Sequence, residues 1–175
     1  MKRFTFFTMI LIILTTGVFS LAAAETYPPE GWVTDINQAM KIAQEEEKLI
    51  LVNFTGSDWC GWCMKLKDEV FTKSAWQEFA KENMVMLFLD FPSGITLSEN
   101  QQVHNGTLAQ VLGVRGYPTL IVLESDLTPR LQTGYTGMGP SEYAAHVAND
   151  INITPDSAAA VGAELNRVVK LLPKL

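Results

Sequence analysis

Leu49-Ile50-Leu51-Val52-Asn53-Phe54-Thr55-Gly56-Ser57-Asp58-Trp59-Cys60-Gly61-Trp62-Cys63 joins an apolar run to the only two cysteines of this 175-residue chain. The run 49–54 reads as a buried strand. Beyond it, Cys63, Leu66 and Val70 recur on one helical face, with Lys65, Lys67, Asp68 and Glu69 around them. The C-x-x-C therefore falls where a strand ends and a helix begins. Free backbone N–H groups and the helix dipole stabilise a thiolate at such a place. The thiolate is the reactive form of cysteine, so Cys60 is expected to be activated.

Working outward, the chain alternates helical and strand-like segments. A helix is expected over 35–47, capped by Thr34 or Asp35, with Ile36, Ala39, Met40 and Ala43 inward. The cysteine helix should run to about residue 69, and a second helical piece should cover 74–81. Met84, Met86 and Phe88 mark a buried strand over 84–91, followed by a loop over 92–100. A helix then ends near Leu112, stopped by Gly113, with Asn105-Gly106 obscuring its start. Strands over 119–124 and 130–135 form a hairpin, and Pro140-Ser141 opens a helix to about residue 151. Strands separated by helices imply an α/β fold, a central mixed β-sheet flanked by helices on both faces.

The start of the chain bears on where it works. Lys2-Arg3, a nearly unbroken apolar run over 4–21 and Ala22-Ala23-Ala24 read as a signal peptide cleaved after Ala24. An uncleaved anchor is the alternative, because the run is almost long enough to span a bilayer. Cleavage leaves no second long apolar run, so no stable membrane insertion is expected afterwards. The organisation is then a signal peptide over 1–24, an extended lead-in over 25–33, one domain over 34–151, and a C-terminal tail over 152–175 with room for a helix. The destination is an oxidising compartment, the bacterial periplasm or a secretory equivalent. The 13 basic and 19 acidic residues give −6, and losing Lys2 and Arg3 with no acid gives −8. Such an acidic domain without a Lys/Arg cluster is a poor partner for nucleic acid.

With these features in place, the chain resembles the thioredoxin superfamily, most closely its secreted bacterial members with a Cys-Gly-Trp-Cys site. Residues 54–63 resemble the family's active-site strand, turn and helix. Gly113-Val114-Arg115-Gly116-Tyr117-Pro118-Thr119 resembles its second landmark, a loop carrying a cis-proline. Gly134 and Gly137 fit its terminal hairpin and helix. The resemblance covers about residues 32–151 and implies roles. Cys60 would be the attacking thiol near the surface, Cys63 the resolving thiol one turn deeper, and Pro118 a cis residue facing the pair. Trp59, Gly61, Trp62, Tyr117 and Thr119 would form a docking surface for extended polypeptide. The implied activity is thiol–disulfide exchange with protein substrates, leaning towards reduction, with no cofactor beyond the Cys60/Cys63 disulfide. A reductase in an oxidising compartment needs electrons, which implies a membrane electron-transfer partner.

The sequence departs from the family twice. Asn53 stands where a buried aspartate is usual; an amide cannot take a proton at neutral pH, leaving Asp58, Asp90 or water as acceptors. Trp62 replaces the common proline or histidine between the thiols, a position that tunes redox potential. Other chemistries fit less well. A bridge closing so short a loop is a weak staple, about 2 kcal/mol before strain. A closed zinc site wants four ligands, and the only histidines, His104 and His146, are not at ligand spacing from the cysteines and are expected at the surface. Neither suits a copper site built on two cysteines and a distal histidine. An oxidase or isomerase direction, or a non-catalytic binding or chaperone module using the Trp62/Tyr117 surface, are the remaining alternatives.

Overall fold

The computed structural model describes residues 27–175. The expected signal peptide and its cleavage site lie outside the described residues. In chain order the elements are β1 (Trp32–Val33), α1 (Ile36–Glu46), β2 (Leu49–Thr55) and α2 (Gly61–Leu66). A single π-helical turn (Lys67–Phe71) continues α2 directly. There follow α3 (Ser74–Asn83), β3 (Met84–Asp90), α4 (Glu99–Val111), β4 (Thr119–Leu123), β5 (Pro129–Thr133), α5 (Pro140–Asn149) and α6 (Pro155–Val169).

The sheet runs β1-β3-β2-β4-β5. β3 pairs parallel with β1 and β2, while β4 runs antiparallel to both β2 and β5. The sheet is therefore mixed, and β2, which leads to the cysteines, lies at its centre. A strand covered on both faces must be apolar throughout, and β2 and β3 are buried along nearly their whole length. Successive side chains alternate between faces, which sorts the core into two layers. Ile50, Val52 and Phe54 pack with Ile36, Ala39 and Ala43 of α1, Leu108 of α4 and Leu165 of α6. Leu51 packs on the other face with Leu66 of α2, Val70, Trp76 and Ala80 of α3, and Tyr143 and Val147 of α5.

Local chemistry sets the element ends. Asp35 caps α1, its Oδ1 accepting from Asn37 N at 2.8 Å. Ser98 caps α4 in the same way through Gln101 N, so Asn105 and Gly106 lie inside that helix rather than at its start. Gly113 follows α4 at φ 65°, the left-handed turn that glycine reaches without strain.

Two boundaries differ from the sequence reading. The lead-in ends in Trp32–Val33, which pairs with Met86 and Leu87 as an edge strand. Two residues carry no periodicity, so sequence pattern could not find it. The C-terminal tail also packs into the core. Leu165 and Val169 of α6 are buried in the first core layer, and Gly162 lets α6 approach Thr128 closely enough that a Cβ would stand 3.3 Å from its Cα. The core thus extends past residue 151. Among the described residues, no helix is long and apolar enough to cross a membrane.

Candidate active site

Cys60 and Cys63 are joined as a disulfide, with S–S 2.12 Å and Cα–Cα 5.2 Å. Cys60 is the N-cap of α2. Its Sγ accepts from Cys63 N at 3.2 Å, and its carbonyl accepts from Cys63 N and Met64 N, both at 3.0 Å. The sulfur thus stands at the N-terminus of a helix, the placement the sequence implies, sharing the Cys63 N–H with its own carbonyl. Once the disulfide opens, the same donor faces a Cys60 thiolate and stabilises it. The two cysteines are equally buried, at 6% exposure each. The expected surface Cys60 above a deeper Cys63 is not what the disulfide form shows: with the two sulfurs joined, both residues are buried alike.

The turn before the cysteines is built by close approach. The Trp59 ring lies over Gly56, where an added Cβ would stand 2.4 Å from Trp59 Cε2, so only glycine fits. Trp59 Nε1 donates to Phe91 O at 2.8 Å, and its ring meets Tyr117 edge-on at 5.7 Å. The Tyr117–Pro118 peptide bond is cis. Gly134 lies against this loop, where a Cβ would stand 3.0 Å from Pro118 O. Trp62 stacks on Tyr135 at 5.3 Å, and Lys65 Nζ lies 5.5 Å from the Trp62 ring and 5.2 Å from the Tyr135 ring. Tyr135 donates its hydroxyl to Glu69 at 2.6 Å. Bonding to Tyr135 and then the charge of Glu69 hold the Lys65 ammonium above its usual range, so this cation is engaged by the aromatic shelf.

Trp59 at 49% and Trp62 at 59% exposure are large apolar surfaces open to solvent on either side of the disulfide. Tyr117 is half-buried and Gly61 exposed; burial, and then the charge of Asp90, push the Tyr117 phenol above its usual range. Thr119 is buried, with its hydroxyl given to Gly116 O at 2.8 Å, so its side chain shapes the loop and offers nothing to a docked chain. Tyr135 joins the surface without any sequence signal, because it lies just past β5 and only the tertiary fold stacks it on Trp62.

The polar residues around the turn are committed. Asp58 accepts from Ser93 N at 2.9 Å and from Gly94 N, bonds that hold its carboxyl below the usual range. Asp90, buried at the end of β3, accepts from Ser57 N, Ser57 Oγ and Phe91 N. Asn53, two residues beyond Leu51 in β2, shares its side-chain face and so lies on the sheet face covered by α2; its Oδ1 is buried without a hydrogen-bond partner.

Both histidines are corrected from their expected surface positions. His104 is fully buried, because it shares a helical face with Leu108 of the core. Its Nε2 accepts from Ile36 N at 3.2 Å, and its Nδ1 lies 3.3 Å from Asn105 Oδ1. Desolvation holds this imidazole below its usual range. His146 bridges Asp150 at 2.6 Å and Thr133 at 2.9 Å, tying α5 to β5. Among the described residues, no cluster of His, Cys, Asp and Glu is arranged to hold a metal.

Comparison with known proteins fits this geometry. A sequence model of a thioredoxin-like family matches residues 31–125. The chain is 28% identical to the disulfide bond reductase DsbH of Chlamydia pneumoniae over 116 residues, covering 66% of this chain and 70% of that protein. It is 26% identical to the thioredoxin-related protein DsbJ of Chlamydia pneumoniae over 174 residues, covering 94% of this chain but spanning only half of that protein's length. A solved structure of DsbH oxidoreductase matches with TM-score 0.62 at 27% identity, covering 71% of this chain and 89% of that one.

Proposed function

The chain belongs to the thioredoxin-like family, it is a thiol–disulfide oxidoreductase, and we propose that Cys60 and Cys63 reduce disulfides of extended or unfolded polypeptides in the periplasm or an equivalent secretory route. The observation that carries the residue assignment is the disulfide at the start of α2, flanked by the solvent-facing rings of Trp59 and Trp62. A buried structural staple has no use for two exposed tryptophans beside it.

In the reduced protein, Cys60 thiolate attacks one sulfur of a substrate disulfide. A Cys60–substrate disulfide forms, and the other substrate sulfur leaves as a thiolate that takes a proton. Cys63 then loses its proton and attacks Cys60 Sγ. The second substrate sulfur leaves, and the Cys60–Cys63 bond of the present structure is restored. Two electrons pass to the substrate, so each turnover consumes one dithiol. A membrane partner carrying electrons from the cytoplasm would regenerate it. Trp59, Trp62, Tyr117 and Tyr135 supply the apolar contact for the client chain, and Pro118, which has no N–H, leaves the neighbouring backbone free to pair with it.

The leader-like residues 1–24 and the likeness to DsbH support the compartment and the reductive direction. The test is Cys60→Ser in an assay of disulfide reduction. Turnover should fall by more than about 1,000-fold, since serine is a far weaker nucleophile at neutral pH. Undiminished activity of that variant in a client-folding assay would instead favour a binding module.

A further inference from the structure

One peptide group separates Asp90 from Cys60. The Ser57 N–H donates to Asp90 Oδ1 at 2.8 Å. The carbonyl of the same peptide, Gly56 O, accepts from Cys60 N at 2.9 Å and from Trp59 N at 3.3 Å. Asp90 Oδ2 takes the Ser57 hydroxyl at 2.5 Å, and Oδ1 also takes Phe91 N at 2.9 Å. The carboxylate therefore fixes the plane of the peptide that fixes the backbone of Cys60. The Asp90 main chain is held from behind as well. Asn105 Nδ2 donates to Asp90 O at 2.8 Å, while Asn105 Oδ1 accepts from Gln101 Nε2 at 2.7 Å and faces His104. With Asp90 only 1% exposed, this arrangement is shielded from competing water.

Two physical effects follow. An acceptor pulling on the Ser57 N–H polarises the peptide and strengthens the bond that Gly56 O receives from Cys60. A negative charge held near the turn also opposes a second negative charge on Cys60. The ionisable groups facing this carboxylate are the hydroxyls of Tyr27 and Tyr117, with Asp58 on the exposed side of the same turn. Both phenols are held above their usual range, first by burial and then by Asp90, so neither adds charge at neutral pH.

We propose that Asp90 is a positioning residue for disulfide exchange: through the Gly56–Ser57 peptide it fixes Cys60 at the start of α2, and its charge biases the pair towards reducing rather than oxidising its substrates. This rests on the assignment of Cys60 and Cys63 as the exchanging thiols. A charge that destabilises the Cys60 thiolate destabilises the reduced protein, which makes it a stronger reductant.

Asp90→Asn separates the two effects. The amide oxygen can still accept from Ser57 N and Phe91 N, and the amide N–H can meet the Ser57 hydroxyl, so geometry stays while charge goes. Asp90→Ala removes both. Each full-length variant is equilibrated with glutathione buffers, and the pH dependence of Cys60 alkylation is followed in the reduced protein. In Asp90→Asn the equilibrium should move about three- to tenfold towards the dithiol, and the alkylation midpoint should fall. Asp90→Ala should show the same shift and also turn over more slowly at saturating disulfide substrate. Folded variants with a wild-type equilibrium and midpoint would overturn the proposal, as would failure of both variants to fold, which would make Asp90 a residue of the fold alone. If the wild-type chain exchanges no disulfide, the functional assignment fails separately. The alkylation midpoint of Asp90→Asn then decides on Asp90 by itself.

Discussion

Two buried polar regions near the active site are satisfied to different degrees. From α4 to the active-site turn, His104, Asn105 and Asp90 form an unbroken set in which each meets a partner. On the face covered by α2, Asn53 Oδ1 has none. An unmet buried acceptor costs about 1–3 kcal/mol. A satisfied set fixes one arrangement of the backbone it joins. The first region therefore holds the turn in place, while the second carries a local cost beside the reacting helix. Such breaches of local rules are expected near functional sites.

The largest effect should come from breaking the satisfied side. His104→Leu keeps the apolar bulk but strands Ile36 N and takes a partner from Asn105. We expect a loss of about 3 kcal/mol, which for a domain of this size lowers Tm by about 6–12 °C. Calorimetry at pH 7 checks it. A wild-type Tm would place the α4 set outside the stability of the fold.

A smaller effect comes from pH. Desolvation puts the His104 pKa in the folded state below its unfolded value near 6.5. The unfolded chain then binds a proton that the folded chain refuses. Stability is full above about pH 6.5 and is lost as pH falls from there towards the folded pKa, at up to about 1.4 kcal/mol per unit. Urea unfolding at pH 7.5 and 5.5 should show this loss in the wild type and a smaller one in His104→Leu. Equal losses in both would remove His104 as the cause.

The smallest effect should come from Asn53. Asn53→Val deletes an acceptor that nothing satisfies and should change stability by less than about 1 kcal/mol, in either direction. A loss comparable with that of His104→Leu would mean that Asn53 is as well paired as His104, Asn105 and Asp90, and the contrast would collapse.

The same contrast explains what the sequence could show. β2, β3 and β4 are long apolar runs, and the cysteines follow the central one, so the α/β class and the strand-to-helix placement of the thiols are readable from pattern. β1 is too short for any pattern. α6 looked optional because the burial of Leu165 depends on the approach that Gly162 permits, a tertiary fact. His104 resembled a surface residue because its helix is weakly amphipathic and polar neighbours surround it in sequence. Its partner at Ile36 is 68 residues away. Asp90, at the end of an apolar strand, was visible only as a candidate proton acceptor. That it grips the peptide before Cys60 depends on the β2–β3 register, in which Thr55 lies opposite Asp90.

The most direct test of reductive exchange is the reduction potential of the Cys60–Cys63 pair in glutathione buffers, followed by the fluorescence of Trp59 and Trp62. Thioredoxin-fold proteins range from about −270 mV for reductants to about −120 mV for oxidants. The account predicts a value near the reducing end. A value near −120 mV would contradict it and make the protein an oxidant that needs a reoxidising partner.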